Sequence, residues 1–156
     1  MSDLVSIIVP VYNVENFIGQ TMDCVVAQTY RNWELLLVED CSTDSTASLI
    51  RQYMERAGDP RIRLVSQPSN MGAARARNRG LMEAKGRFVS YLDADDLWEP
   101  EKLEKELAFM KEKDAAFAFT SYEFADETGK GMGKVVHVPE TLTYKQALSN
   151  TTIFTT

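Results

Sequence analysis

The chain has few of the features that mark secreted or membrane-spanning proteins. Its two cysteines, Cys24 and Cys41, are too few among 156 residues for a disulfide framework. It has no signal peptide and no apolar run near the twenty residues that a membrane-spanning helix needs. We therefore expect a cytoplasmic protein in a reducing compartment.

Positive charge is also scarce. The chain has 17 Lys and Arg residues against 23 Asp and Glu residues, which gives a net charge of −6. Nucleic acids are bound by basic stripes that this chain lacks, so we expect no nucleic-acid partner. If the protein binds a phosphate group, the charge must be offset locally, by a metal ion or by a few cationic side chains.

The glycine-rich loops that cradle phosphates are missing. The first predicted strand, Val5–Val11, is followed by Tyr12 and Asn13 rather than by Gly-x-Gly-x-x-Gly, and no Walker A sequence occurs. This argues against a Rossmann dehydrogenase, a P-loop enzyme and a sugar nucleotidyltransferase. A phospho-receiver domain would need an acidic pair where Tyr12 and Asn13 stand.

What the chain does have is a regular alternation of strands and helices. Apolar runs predict strands at residues 5–11, 34–40, 62–65 and 87–92, and each is followed by an amphipathic segment. The helix after Gly72 carries small residues that allow close packing on a sheet: Ala73, Ala76, Gly80 and Ala84. Four alternations predict an α/β fold with a doubly wound, mostly parallel sheet. The length fits one domain, residues 1–156.

The last third of the chain predicts a helix opening at Pro100 and then a hairpin. Residues 115–124 are a strand candidate, and a glycine-rich turn at 126–133 precedes a second strand at 135–138. A short helix is expected around Tyr144–Leu148. The chain stops in an apolar, β-prone segment, which we interpret as C-terminal truncation.

The run at 87–92, which reads as a buried central strand, ends in Asp93-Ala94-Asp95-Asp96. Ligands of open α/β sheets bind outside the carboxyl ends of the strands. Two carboxylates one residue apart on such a turn can share Mg²⁺ or Mn²⁺ with substrate phosphates. The alternative is that these acids are solvated and cap the following helix, and the motif alone leaves both interpretations open.

Six segments in the same order resemble family 2 glycosyltransferases of the GT-A fold. They are Ser6–Asn13, Gln28–Tyr30 with Trp33-Glu34, Val38–Asp44, Asn70–Gly72, Ala76–Gly80 and Leu92–Asp96. The resemblance implies a Rossmann-like three-layer α/β/α sandwich. One departure is Glu39-Asp40-Cys41-Ser42, where the family has Asp-Asp-Gly-Ser, so that Cys41 replaces a glycine and could crowd the turn.

The resemblance also implies roles for individual residues. Pro10 and Tyr12 would line the base and ribose pocket, and Asp40 would accept a hydrogen bond from the uracil imide. Asp95 would bind the metal ion, Mg²⁺ or Mn²⁺, while Asp93 would contact ribose or a metal-bound water. Arg77 would reach phosphate or support the aspartates. The full set of expected donor-binding residues is Pro10, Tyr12, Asn13, Asp40, Asn70, Arg77, Asp93, Ala94 and Asp95.

The implied activity is inverting, metal-dependent transfer from a nucleotide sugar, expected to be a UDP-sugar, to a hydroxyl of a saccharide or lipid-linked acceptor. The family's catalytic base lies further along the chain than Thr156, so we assign no residue here to that role. Peripheral association of the full-length protein with the cytoplasmic face of the membrane fits such acceptors. The alternative is a non-catalytic nucleotide-sugar-binding module.

Structural roles remain alternatives for several of these side chains. Asp40 could be a helix-capping acid, and Arg77 a solvated helix residue. Trp98 is expected to anchor the helix that follows the acids, Glu39 to pair with an arginine, and His137 to be structural within the hairpin.

Overall fold

The computed structural model describes residues 3–141, 143 and 145. They fall in two compact units, one within residues 3–103 and the other beginning at residue 104. Apart from Lys145, the helix predicted around Tyr144–Leu148 lies outside the described residues, as does the terminal β-prone segment. Within the described ranges, no helix has the length and apolar character needed to cross a membrane.

The first unit is a four-stranded parallel sheet with helices between the strands. Its strands are β1 (Val5–Val11), β2 (Trp33–Glu39), β3 (Ile62–Ser66) and β4 (Phe88–Tyr91). Its helices are α1 (Ile18–Val26), α2 (Thr46–Ala57) and α3 (Ala73–Glu83). The strand order is β3-β2-β1-β4, and all three pairings are parallel. The predicted α/β alternation with a parallel central sheet is confirmed.

The two middle strands form the core of this sheet. Every residue of β2 is buried, and so is every residue of β1 except Pro10. Strands covered on both faces need apolar side chains at successive positions, which explains the nearly continuous Val, Ile and Leu runs. The pairing of β1 with β4 stops at Ile8, before Pro10, which has no N–H to donate, whereas pairing with β2 continues to Val11.

The position of β4 corrects one expectation. The run at 87–92 was predicted to be a buried central strand, but among the described residues β4 is an edge strand and Val89 is 38% exposed. A short apolar run has the same pattern in the centre and at the edge of a sheet. Its place depends on pairing with distant strands, which periodicity does not reveal.

Helix α3 packs on β1 and β2, and the close contact predicted from its small residues is confirmed at Ala76 and Gly80, which are buried. A Cβ atom on Gly80 would lie 2.4 Å from Cγ2 of Ile8. Helix α1 packs beside α2, and its buried residues are Ile18, Thr21, Met22 and Val25, the stripe that the periodicity predicts.

The second unit contains nearly all of α4 (Lys102–Lys113) and an antiparallel hairpin of β5 (Tyr122–Ala125) and β6 (Gly131–Val136). The predicted hairpin is confirmed, but its boundaries differ. Asp126 closes the turn by accepting hydrogen bonds from the backbone N–H groups of Thr128 and Lys130. The turn therefore ends early, Gly131 begins β6, and His137 follows the strand instead of lying within it.

We expect Gly80→Ala to destabilise the first unit. The added methyl group raises helix propensity by up to ~1 kcal/mol, but overpacking against the β-branched Ile8 costs about 1–3 kcal/mol. The difference is a net loss of about 1 kcal/mol, and at most ~2 kcal/mol, in the free energy of unfolding, which urea denaturation measures.

Gly19→Ala is the matched control, because Gly19 lies in α1 and a Cβ there would have no atom within 4 Å. It should leave stability unchanged or raise it. If both variants unfold at the same urea concentration, the close contact of α3 with β1 does not limit stability.

Candidate functional site

A cleft of about 340 Å³ lies at the carboxyl ends of β1, β2 and β4. The strand order reverses direction between β1 and β4, which makes this edge the topological switch point where open α/β sheets bind ligands. Eight of the nine predicted donor-binding residues line the cleft: Pro10, Tyr12, Asp40, Asn70, Arg77, Asp93, Ala94 and Asp95. Sequence reasoning missed the rest of the wall, which consists of Val11, Val14, Gly72, Ala73 and Ala76.

Asn13 is the predicted residue that does not line the cleft. Its backbone is left-handed, with φ of 51°, and its side chain points to the neighbouring loop. The backbone N–H of Thr43 donates to Asn13 Oδ1 at 2.8 Å, and the Asn13 N–H donates to Ser42 Oγ at 3.2 Å. Asn13 thus ties the loop after β1 to the loop after β2, and Tyr12 beside it is 46% exposed.

Asp40 is almost completely buried, with 2% of its surface exposed. Its carboxylate accepts hydrogen bonds from the N–H groups of Met71 at 2.8 Å and Gly72 at 2.7 Å, and from Gln67 Nε2 at 3.3 Å. These donors stabilise a buried negative charge at the N-terminus of α3. The capping alternative therefore has a structural basis, but at α3 and not at the helix that directly follows Asp40.

The turn after β2 has a left-handed backbone conformation that glycine adopts more easily than other residues. Cys41 takes a left-handed backbone with φ of 61°, and its Sγ donates to the carbonyl oxygen of Gln67 at 3.3 Å. Such a conformation costs a non-glycine residue roughly 1–2 kcal/mol. Glu39 accepts a hydrogen bond from the Ser42 N–H at 2.5 Å. It forms no ion pair with an arginine among the described residues, so the expected pairing is wrong.

Arg77 is not a solvated helix residue. It projects from α3 and forms an ion pair with Asp93, with 2.5 Å between Nη2 and Oδ1. Both side chains are partly buried, so solvent screens this pair less than an exposed one. The guanidinium group places positive charge beside the acidic turn.

The acidic turn concentrates negative charge. Asp95 is exposed, Asp93 and Asp96 are partly buried, and Ala94 between the first two is 4% exposed. Burial, together with repulsion from Asp95 and Asp93, raises the pKa of Asp96 to about 6. A cation bound at this turn would lessen the repulsion on Asp96.

The donor set suits a hard divalent cation held jointly with a ligand. Within the described part of the chain, no three His, Cys, Asp or Glu side chains converge to hold a metal ion. A cation at the turn would take one or two carboxylates from the protein and its other ligands from phosphate and water. Mg²⁺ is commonly held this way.

Two further side chains matter here. Thr21, which the sequence pattern placed only in the buried stripe of α1, donates its hydroxyl hydrogen bond to the carbonyl oxygen of Ala94 at 2.8 Å. The sequence signal for this contact was a hydroxyl side chain at a position of the helix where the stripe is otherwise apolar.

Trp98 is buried, does not line the cleft and stacks under the Lys102 ammonium, as expected of an anchor for the next helix.

Comparisons with known proteins give the relatives of this chain. Residues 6–155 match the model of the family described as glycosyl transferase family 2. A Bacillus subtilis protein named as a teichuronic acid biosynthesis glycosyltransferase, TuaG, is 46% identical over 150 residues, which cover 96% of this chain and 59% of that protein. The Escherichia coli UDP-Glc:α-D-GlcNAc-diphosphoundecaprenol β-1,3-glucosyltransferase WfgD is 40% identical over 147 residues, 94% of this chain and 56% of that protein.

The fold is also similar to a solved structure. Mannosyltransferase PcManGT from Pyrobaculum calidifontis, in complex with GDP-Man and Mn²⁺, matches with a TM-score of 0.66 and 31% identity, covering 75% of this chain and 34% of that chain.

The chain spans little more than half the length of TuaG and of WfgD. The family match over nearly its whole length, with these identities, shows that the chain belongs to glycosyl transferase family 2.

Proposed function

We propose that this chain binds the donor of an inverting, metal-dependent glycosyltransferase, and that the donor is a UDP-sugar. The complete protein would transfer the sugar to a hydroxyl of a saccharide or lipid-linked acceptor. The observation that carries the proposal is the convergence of an aromatic ring, a buried carboxylate and an acidic turn in one cleft at the topological switch point.

The base and ribose are assigned to the part of the cleft that follows β1. Tyr12 ends this wall with a half-exposed ring that can stack on a pyrimidine, and Pro10 adds apolar surface. Asp40 Oδ2 accepts one hydrogen bond, from Gly72, and a carboxylate oxygen can accept two. The remaining position suits the imide N–H of uracil, and the Met71 and Gly72 N–H groups fix the orientation of the carboxylate.

The diphosphate is assigned to the acidic turn after β4. Asp95 and Asp93 would hold Mg²⁺ or Mn²⁺, which when bound supplies positive charge to stabilise the departing diphosphate. PcManGT, a structural relative, was solved with Mn²⁺. Arg77 forms an ion pair with Asp93 and would place a cationic group beside the phosphates of a bound donor.

The proposed reaction is a single displacement at the anomeric carbon by the acceptor hydroxyl. Holding the donor in one orientation contributes by positioning, and the acceptor hydroxyl must lose its proton to a general base. The cleft residues described above are all assigned to the donor, and none of them is assigned as that base.

Metal dependence is the first test of this proposal. We expect UDP to bind at least about tenfold more tightly with Mn²⁺ or Mg²⁺ than with EDTA, because two like charges at 4 Å repel by ~1–4 kcal/mol when no cation separates them. Isothermal titration calorimetry of the intact chain measures both affinities.

Two variants localise the effect. Asp95→Asn should remove the metal-dependent part of UDP binding, whereas Asp96→Asn, in the same turn but outside the proposed ligand set, should change it little. Equal UDP affinity with and without EDTA would remove the metal ion from the proposal.

Base selectivity is the second test. Cytosine offers Asp40 an acceptor nitrogen where uracil offers an N–H, and an unpaired buried polar group costs about 1–3 kcal/mol. UDP should therefore bind about ten- to a hundredfold more tightly than CDP, with GDP as a purine control.

Asp40→Asn should weaken UDP binding and narrow the gap between UDP and CDP. Circular dichroism checks that this variant still folds, because Asp40 also holds the segment before α3. If the intact chain binds UDP and CDP equally, Asp40 does not read the base.

A further inference from the structure

Two buried polar side chains hold the acidic segment after β4 from both ends. Thr21 Oγ1 donates to the carbonyl oxygen of Ala94 at 2.8 Å. Gln28 Nε2 donates to the carbonyl oxygen of Glu99 at 2.8 Å, and the Leu103 N–H donates to Gln28 Oε1 at 3.1 Å. Thr21 is 1% exposed and Gln28 is fully buried. The segment is therefore fixed to α1 and to the residues directly after it.

The bond from Thr21 falls between the two aspartates of the cleft. A hydroxyl group has one proton, and the other acceptors in reach, the carbonyl oxygens of Phe17 and Asp96, lie at 3.4 Å. The proton is thus directed to Ala94, which is 4% exposed and whose buried carbonyl needs a partner. Fixing this carbonyl fixes the peptide plane from which Asp95 departs.

We propose that Thr21 is a positioning residue for the cation site, which holds the Ala94 peptide so that Asp93 and Asp95 face a divalent cation together. The inference rests on the metal-dependent donor binding proposed above. Thr21 does not line the cleft, so it acts only through the backbone of the acidic turn.

The hydroxyl group carries this role, and the bulk of the side chain does not. Thr21→Val keeps the volume but leaves the Ala94 carbonyl buried without its donor, so the turn relaxes. Thr21→Ser keeps the donor. Groups that orient metal ligands typically change metal affinity 10–100-fold when they are removed.

The experiment compares Mn²⁺ and UDP binding by the intact chain and its variants. Free Mn²⁺ is measured by electron paramagnetic resonance, and UDP affinity by calorimetry with Mn²⁺ or with EDTA. Thr21→Val should weaken Mn²⁺ binding and Mn²⁺-dependent UDP binding about tenfold or more, and should leave UDP affinity in EDTA unchanged. Thr21→Ser should bind as the unmodified chain does.

Ser6→Ala controls for a general loss of stability. Ser6 is a fully buried hydroxyl at the opposite end of β1, where it accepts a hydrogen bond from the Gly86 N–H at 2.8 Å and donates to Glu34 at 2.6 Å. It should lower stability without changing Mn²⁺ affinity.

The inference is overturned if Thr21→Val binds Mn²⁺ as tightly as the unmodified chain, or if Ser6→Ala loses as much affinity as Thr21→Val. If the unmodified chain itself shows no metal-dependent UDP binding, the proposed function fails instead. The two failures are therefore distinguishable.

Discussion

The parallel pairing of β1 with two neighbours is the constraint on which the site depends. β1 pairs with β2 on one side and with β4 on the other, so the chain must reverse its direction of winding beside β1. Loops that leave these strands diverge at that point and open a cleft. Because all the strands are parallel, their carboxyl ends meet at one edge, and the polar residues that follow β1, β2 and β4 are brought together there.

Charge at that edge is balanced by backbone and side-chain partners close by. Asp40 is matched by N–H groups of Met71 and Gly72 at the start of α3, and Asp93 is matched by Arg77 from the same helix. Helix α3 therefore serves two acidic groups, and its close packing through Gly80 fixes its distance from the sheet. Asp95 is left exposed at the mouth, where a ligand can reach it.

Local patterns predicted much of this arrangement, and they failed where the answer depended on distant contacts. The alternation of strands and helices and the stripe of α1 were correct because they follow from burial of nearby side chains. The interior position expected for β4 was wrong, because an edge strand and a central strand share one short apolar pattern. The pairing expected for Glu39 was wrong: its carboxylate accepts a hydrogen bond from the backbone N–H of Ser42, and the partner of a carboxylate depends on tertiary packing that the sequence does not reveal.

The sequence by itself determined the parallel α/β fold, the family and eight of the residues that line the cleft. Strand ends and the succession of motifs can be identified along the chain without knowledge of distant contacts. Only the tertiary structure decided what each side chain touches. It turned Asn13 away to bind the neighbouring loop, made Asp40 hold the start of α3, and set Thr21 against the Ala94 carbonyl. Hydrogen bonds between residues 30 to 73 positions apart depend on how the helices pack, which no local pattern encodes.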